Sequence, residues 1–225
     1  MKNLYILLTL LLLLTAISCD KSNPSQEQNN ETDSSATDSI TVDTNTYYQL
    51  VSIETDWGNM LIWLYDETPI HKAHFINMIE DSFFNGQIFN RIVRNFVIQG
   101  GCPDTSAIGH INYPVEAEFD SNITHVYGAL GMGRYGEDVN PDKLSNGCQI
   151  YLITDTAGEH QLDMDYTVFG ILADGFQTLD DLNRIPTGFN SSEPKDTTVY
   201  MSISLVEKSY SELNLLSNFN IETIK

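Results

Sequence analysis

Apolar and polar residues alternate at period two through "YYQLVSIETDWGNMLIWLYDE", on both sides of Asp56-Trp57-Gly58-Asn59. That is the pattern of two half-buried strands, and Gly58 supplies turn chemistry between them, so the segment reads as a β-hairpin. The period then changes. In "TPIHKAHFINMIEDSFFNG" Ala73, Phe75, Ile76 and Ile79 share one helical face, Thr68 is placed to cap, Pro69 takes the first helical position and Gly86 lies beyond the end. A second helix is expected over residues 176–185, with Leu179, Leu182 and Ile185 on one side and Pro186 as its stop. Alternation returns in "TTVYMSISLVE", and most of the remainder reads as short strands with turns. Many strands, two short helices far apart and no βαβ rhythm predict an antiparallel sheet or barrel. Closure into a barrel would remove exposed strand edges.

The two ends follow other patterns. In "MKNLYILLTLLLLLTAISC" Lys2 precedes a Leu-rich run over residues 4–17, then small residues and Cys19. The run is shorter than the roughly 20 residues a spanning helix needs. Residues 1–18 therefore read as an export signal. The small residues before Cys19 resemble a bacterial lipoprotein signal, in which the cysteine receives lipid and becomes the mature N-terminus. An ordinary secretory signal or an uncleaved anchor is the alternative. Residues 19–46 are dominated by Asp, Asn, Ser, Thr, Gln and Glu, too polar to offset the entropy of ordering, and read as a disordered tether. The expected location is the bacterial cell envelope, with a lipid-anchored domain outside the cytoplasm. Residues 47–208 then form one domain, a length that suits a single core. In the extension over residues 209–225, Leu213, Leu215, Leu216, Phe219 and Ile221 are able to dock on that domain or meet a partner.

A formal net charge of −20 argues against DNA or RNA as a partner, because phosphate binding needs clustered Lys and Arg. Cys102 and Cys148 are the two cysteines beyond Cys19; they are able to pair in an oxidising compartment, and neither has zinc-binding spacing. His71 and His74 stand at helical i, i+3 spacing, which more often marks surface or packing residues than a metal site; no metal and no cofactor is expected. The chain has no internal repeat, phosphate-binding glycine loop or Gly-x-Ser-x-Gly nucleophile turn. Asn122-Ile123-Thr124 is a glycosylation sequon by form, and reads as coincidental in a bacterial lipoprotein.

The stretch "FNRIVRNFVIQGG", residues 89–101, sets Arg91 and Gln99 among apolar residues and runs into a double glycine. It resembles the Phe-His-Arg-Ile-x-x-x-Phe-x-x-Gln-Gly-Gly signature of the cyclophilins, the cyclosporin-binding peptidyl-prolyl cis–trans isomerases. Four further blocks follow the family's order: "ETDWGNMLIWLYDETP", "EFDSNITHVYGALGMGR", "SNGCQIYLIT" and "LDMDYTVFGIL". Together they span residues 51–206. The resemblance implies a mainly β fold, a closed eight-stranded antiparallel cyclophilin-like barrel capped by two α-helices, with a shallow outer groove for an Xaa-Pro segment.

The same resemblance implies chemistry without nucleophile, metal or redox group. Arg91 matches the catalytic arginine, which donates to the twisted prolyl amide. Phe96, Val97, Tyr151 and Leu162 match the proline pocket, although Val97 stands where methionine is common and Tyr151 where phenylalanine is. Gln99 would orient Arg91 and bond substrate backbone, Gln149 would line the same groove, and Gly133 with Arg134 would offer a backbone edge to residues preceding proline. Tyr166 replaces a groove histidine, Asn90 replaces the histidine before the arginine, and Gln161 falls where many eukaryotic members carry a tryptophan important for cyclosporin. Weak cyclosporin binding with retained activity is implied. Arg94 reads as a surface residue, and the loop "RYGEDVNPDKLSNG", longer than the family's, is placed to reshape the groove. The expected partners are proline-containing polypeptide segments and, through lipid, a membrane; a monomer is expected. Two other readings stay open: a proline-peptide binding or chaperone module without useful catalysis, and an adhesive surface lipoprotein whose barrel is scaffold.

Overall fold

The computed structural model describes residues 46–102, 112–188, 191–216 and 219–220. The expected signal, Cys19 and nearly all of the tether lie outside these residues. The hairpin forms as its alternation requires: β1, Tyr47–Thr55, turns through Asp56 and Trp57 into β2, Gly58–Leu64, with Val51 opposite Ile62. Gly58 has φ +130°, and a Cβ there would lie 2.5 Å from Thr178 Oγ1, so both conformation and space call for glycine. Six further strands complete the wall: β3, Gln87–Val93; β4, Val97–Gly101; β6, Ala129–Met132; β8, Gln149–Ile153; β9, Val168–Asp174; and β10, Tyr200–Ser209. They close in the order β1-β10-β3-β4-β8-β6-β9-β2, all antiparallel, the eight-stranded barrel expected. β5, Pro114–Val115, and β7, Ser145–Asn146, pair outside the wall.

Strand alternation sorts the side chains into an inside and an outside. Ile53, Ile62, Ile98, Leu130, Ile150, Leu152 and Phe169 fill one core, and both helices add to it. Helix α1, Pro69–Glu80, contributes Phe75, Met78 and Ile79, and helix α2, Phe176–Asn183, contributes Leu179 and Leu182. Two details differ from the sequence reading. Ala73 is exposed and Met78 takes its place on the buried face, because the helix is set by its large side chains rather than a small one. Helix α2 ends at Asn183, although Ile185 remains buried beyond it.

The cap of α1 also differs. Thr68 occupies the N-cap position without a side-chain cap bond. The carboxylate of Glu118 takes over, accepting from the backbone N–H of Ile70 at 2.9 Å and of His71 at 2.8 Å. A carboxylate suits the positive end of a helix dipole better than a hydroxyl does.

The outer face of the barrel carries apolar cover in two places. On one, Leu50 and Trp63 lie beneath Leu213 and Phe219, with Trp63 and Phe219 ring centroids 5.7 Å apart. The extension thus docks on the barrel through Leu213, in α3, Tyr210–Leu213, and Phe219, while Leu215 is 84 % exposed. A reciprocal Ser209–Glu212 capping box starts α3. Strand β10 also runs one residue past the boundary expected at 208, since Ser209 still pairs with Tyr47. The other outer cluster belongs to the groove.

Candidate active site

Four residues stand side by side across four strands: Arg91 on β3 faces Gln99 on β4, Gln99 faces Tyr151 on β8, and Tyr151 faces Gly131 on β6. Their inward neighbours Ile98, Ile150, Leu152 and Leu130 belong to the core, so this row lies on the outer surface. At Gly131 a Cβ would lie 2.2 Å from Tyr151 Cζ. The missing side chain is therefore the seat in which the Tyr151 ring rests. Val97, Tyr151, Ala129 and Val168 form the second outer cluster, with Phe96, Leu162 and Tyr166 packed against it.

Above that cluster opens a groove of about 330 Å³. Arg91 and Gln99 form its polar side, and Phe96, Val97, Tyr151 and Leu162 its apolar side. Gly133, Arg134 and Tyr166 complete it. Nine residues named from sequence thus meet at one place. Gln149 does not line the groove: it is 5 % exposed and lies on the same outer face one pair further along the strands, opposite Gly101, its Oε1 accepting from Gln99 Nε2 at 3.4 Å. Gln161 is exposed, and Arg94 is exposed as its surface reading requires.

Arg91 is half-buried and aimed from two sides. Its Nη1 donates to Gln99 Oε1 at 3.1 Å, and the guanidinium carbon lies 5.8 Å from the Phe96 ring centroid. Burial lowers the Arg91 pKa, while the neighbouring Tyr166 opposes that shift. An arginine starts so far above neutrality that it keeps its charge. A fixed cation beside an apolar slot can donate to an electron-rich atom while the slot holds a ring.

Comparison with known proteins agrees with this geometry. Residues 50–204 match the family described as cyclophilin type peptidyl-prolyl cis-trans isomerase/CLD. The chain belongs to the cyclophilin-type peptidyl-prolyl cis–trans isomerases. It is 32 % identical over 162 residues to a chicken (Gallus gallus) peptidyl-prolyl cis-trans isomerase-like 3, covering 67 % of this chain and 95 % of the relative. It is 28 % identical over 162 residues to an isomerase of Acinetobacter baylyi, covering 69 % of this chain and 85 % of that one. Among solved structures, a Cryptosporidium parvum cyclophilin crystallised in the presence of the dipeptide Ala-Pro superposes with a TM-score of 0.61 at 24 % identity, over 70 % of this chain and 98 % of that one. That likeness extends to the fold.

Two walls of this cyclophilin groove rest on groups that the sequence reading did not single out. Arg134, with a side chain 4 % exposed, pairs with Asp165 at 2.7 Å and lies 4.6 Å from the Tyr166 ring centroid. Lys143, from the long loop, bonds the same carboxylate at 2.6 Å. The loop is thereby tied to the groove, and Lys143 and Arg134 both contribute to holding the Asp165 carboxyl below its usual range. Behind the apolar pocket, Tyr151 reaches His125. The Asp163 carboxylate only accepts, so His125 Nδ1 donates to it at 2.7 Å, and His125 Nε2 accepts from the Tyr151 hydroxyl at 2.8 Å. A tyrosine where phenylalanine is common thus has its hydroxyl satisfied by a buried imidazole. No local pattern links positions 125, 151 and 163.

A similar chain lies under α1. His71 is buried, its Nδ1 donating to Glu118 at 2.7 Å and its Nε2 accepting from Ser145 Oγ at 2.9 Å. It has the connectivity of a hydrolytic triad, yet His71 is 0 % and Ser145 2 % exposed, so no substrate reaches the hydroxyl. It is a clip between α1 and β7. His74 instead bonds the Gly147 carbonyl at 2.9 Å, so the two histidines serve separate contacts.

Burial pushes both imidazoles below the ordinary 6.5, because desolvation outweighs the hydrogen bonds they donate to Glu118 and Asp163. The unfolded chain then binds more protons just below that pH, and stability falls as pH falls. The urea midpoint is expected to be flat above about pH 7 and to decline between about pH 6.5 and pH 5, above the carboxylate range. A midpoint constant across that window would contradict two buried neutral histidines.

Proposed function

We propose that this isomerase accelerates rotation of Xaa-Pro bonds in exported or cell-envelope proteins, with Arg91 stabilising the twisted amide. The amide resists rotation by about 18–20 kcal/mol because of resonance, and X-Pro bonds relax unaided over roughly tens to hundreds of seconds. Twisting breaks that resonance and leaves a basic lone pair on nitrogen. Arg91 donates to that nitrogen, and Phe96, Val97, Tyr151 and Leu162 hold the ring while the preceding carbonyl swings. No bond is made or broken. Gln99 keeps the guanidinium aimed, and Gly133 with Arg134 presents main chain to residues before the proline, a mode that tolerates varied side chains.

The observation carrying this reading is the Arg91–Gln99 pair set directly beside the apolar pocket. Exchange spectroscopy on an Ala-Pro tetrapeptide tests it, with Arg91→Ala as the reference variant. A binding module would broaden peptide signals without speeding exchange. The Ala-Pro dipeptide used with the Cryptosporidium protein suits this probe chemically.

The envelope part of the proposal rests on sequence outside the described residues. Cys19 receives the lipid and residues 19–46 hold the barrel off the membrane, facing proline segments as they emerge from export. Radiolabelled palmitate is expected to enter the full chain in a bacterial host and to be lost in Cys19→Ala. Label retained by that variant would remove the lipoprotein assignment while leaving the isomerase intact.

A further inference from the structure

Cys102 and Cys148 are bonded, with Cα atoms 5.4 Å apart, immediately past the end of the β4–β8 ladder at Gly101 opposite Gln149. From this bond a single file of side chains leads to the groove. Gln149 Nε2 donates to the Cys102 carbonyl at 3.3 Å, Gln99 Nε2 donates to Gln149 Oε1 at 3.4 Å, and Arg91 Nη1 donates to Gln99 Oε1 at 3.1 Å. The geometry points to the disulfide as a positioning element for Arg91, an inference that rests on the catalytic reading of that arginine.

The direction of the file is forced. A guanidinium only donates, so Gln99 must turn its oxygen toward Arg91 and its NH₂ outward. Gln149 must then present its oxygen to Gln99 and its own NH₂ to something that only accepts. The Cys102 carbonyl is that terminus. Both amide orientations are set by a cation at one end and a main-chain oxygen at the other.

Among the described residues, Asn112 Nδ2 also reaches Cys102 Sγ at 3.7 Å. Gly101 has φ +109°, and a Cβ there would lie 2.0 Å from the Cys148 carbonyl oxygen, so the chain just before Cys102 is both flexible by type and tightly approached. Among the described residues, one backbone bond, Cys102 N–H to Cys148 carbonyl at 2.9 Å, joins the strands at this point. The disulfide adds a covalent link, and because Cys148 immediately precedes Gln149 it ties the backbone of the amide donor to that of its acceptor. Without it the Cys102 carbonyl can swing about Gly101. Gln149 then has no fixed acceptor, and Gln99 can turn its NH₂ toward a guanidinium that also only donates. The apolar pocket is spared, since Phe96 and Val97 lie at the opposite end of β4.

The test uses the full chain carrying Cys102→Ala with Cys148→Ala, the single variant Gln149→Leu, and the combination. Turnover on the Ala-Pro tetrapeptide is expected to fall about 5- to 10-fold in each with KM within about 2-fold, the signature of a lost transition-state interaction. The combination is expected to lose no more than either alone, because both cut one file. The arginine side-chain Nε–H resonance of Arg91 is expected to be sharp in the native chain and to broaden in all three. A disulfide that only stabilises would lower the melting temperature and leave turnover and that resonance unchanged, which overturns the inference. Additive losses would overturn it too. If the cysteine variants do not fold, Gln149→Leu decides with the disulfide intact: unchanged turnover overturns it. Should Arg91→Ala keep native turnover, the catalytic reading itself falls; should that variant fail while the cysteine variant turns over normally, only the positioning role falls.

Discussion

Arg91→Ala is expected to lower kcat/KM for prolyl isomerisation about 10²–10³-fold, the range seen when one preorganised donor is removed from a transition state. The loss should appear in kcat, because the ring-binding residues are untouched and the lone pair that Arg91 addresses exists only when the amide is twisted. Arg91→Lys separates charge from shape. A lysine keeps the cation but carries its donors on one nitrogen at the end of a flexible stem, without the rigid planar fork that spans Gln99 and the amide nitrogen. It should recover only a small part of the lost rate. Full activity in Arg91→Lys would mean that charge alone matters and that the bond to Gln99 at 3.1 Å has no catalytic consequence.

The largest expected effect on stability lies away from the groove. Glu118, with its side chain 12 % exposed, accepts from the backbone N–H groups of Ile70 and His71 and from the His71 ring. Glu118→Ala leaves two helix N–H groups and a buried imidazole without their acceptor. Bonds to a charged acceptor contribute about 1.5–3 kcal/mol each, and water recovers some of this at a partly open site, so a net loss of about 3 kcal/mol is expected. For a domain of this size that lowers the melting temperature by roughly 6–12 °C. Glu118→Gln should cost less, since its remaining oxygen still caps α1. A calorimetric shift under about 2 °C for the alanine variant would show that the carboxylate is not what secures the helix.

Much of the barrel was legible because strand periodicity is local. The hairpin, β10 and α2 announce their buried faces by spacing, α1 does so in part through Phe75 and Ile79, and Gly58 marks the turn by conformation. The misses have equally local causes. Thr68 satisfies the chemistry of a cap, but sequence cannot reveal that a carboxylate 47 positions beyond His71 reaches α1 first. Ala73 is apolar enough for a buried face and too small to define one. Tyr151 and Leu162 were named through the family pattern, whereas His125, Asp163 and Asp165 went unnamed because their roles depend on partners across the barrel.

The sequence by itself determined the antiparallel β class through its period-two pattern, while the apolar slot and the arginine beside it were reached through the resemblance to the cyclophilins, because Phe96 and Tyr151 lie 55 positions apart. It left the pairing of Cys102 with Cys148 open and placed Gln149 in the groove. Only the closed barrel decided both. Strand register brings Gly101 opposite Gln149, puts Arg91, Gln99, Tyr151 and Gly131 in one row, and sets Gln149 one pair further along the same face. Register is a property of two strands at once, fixed by the packing of both faces, and no single stretch of chain contains it.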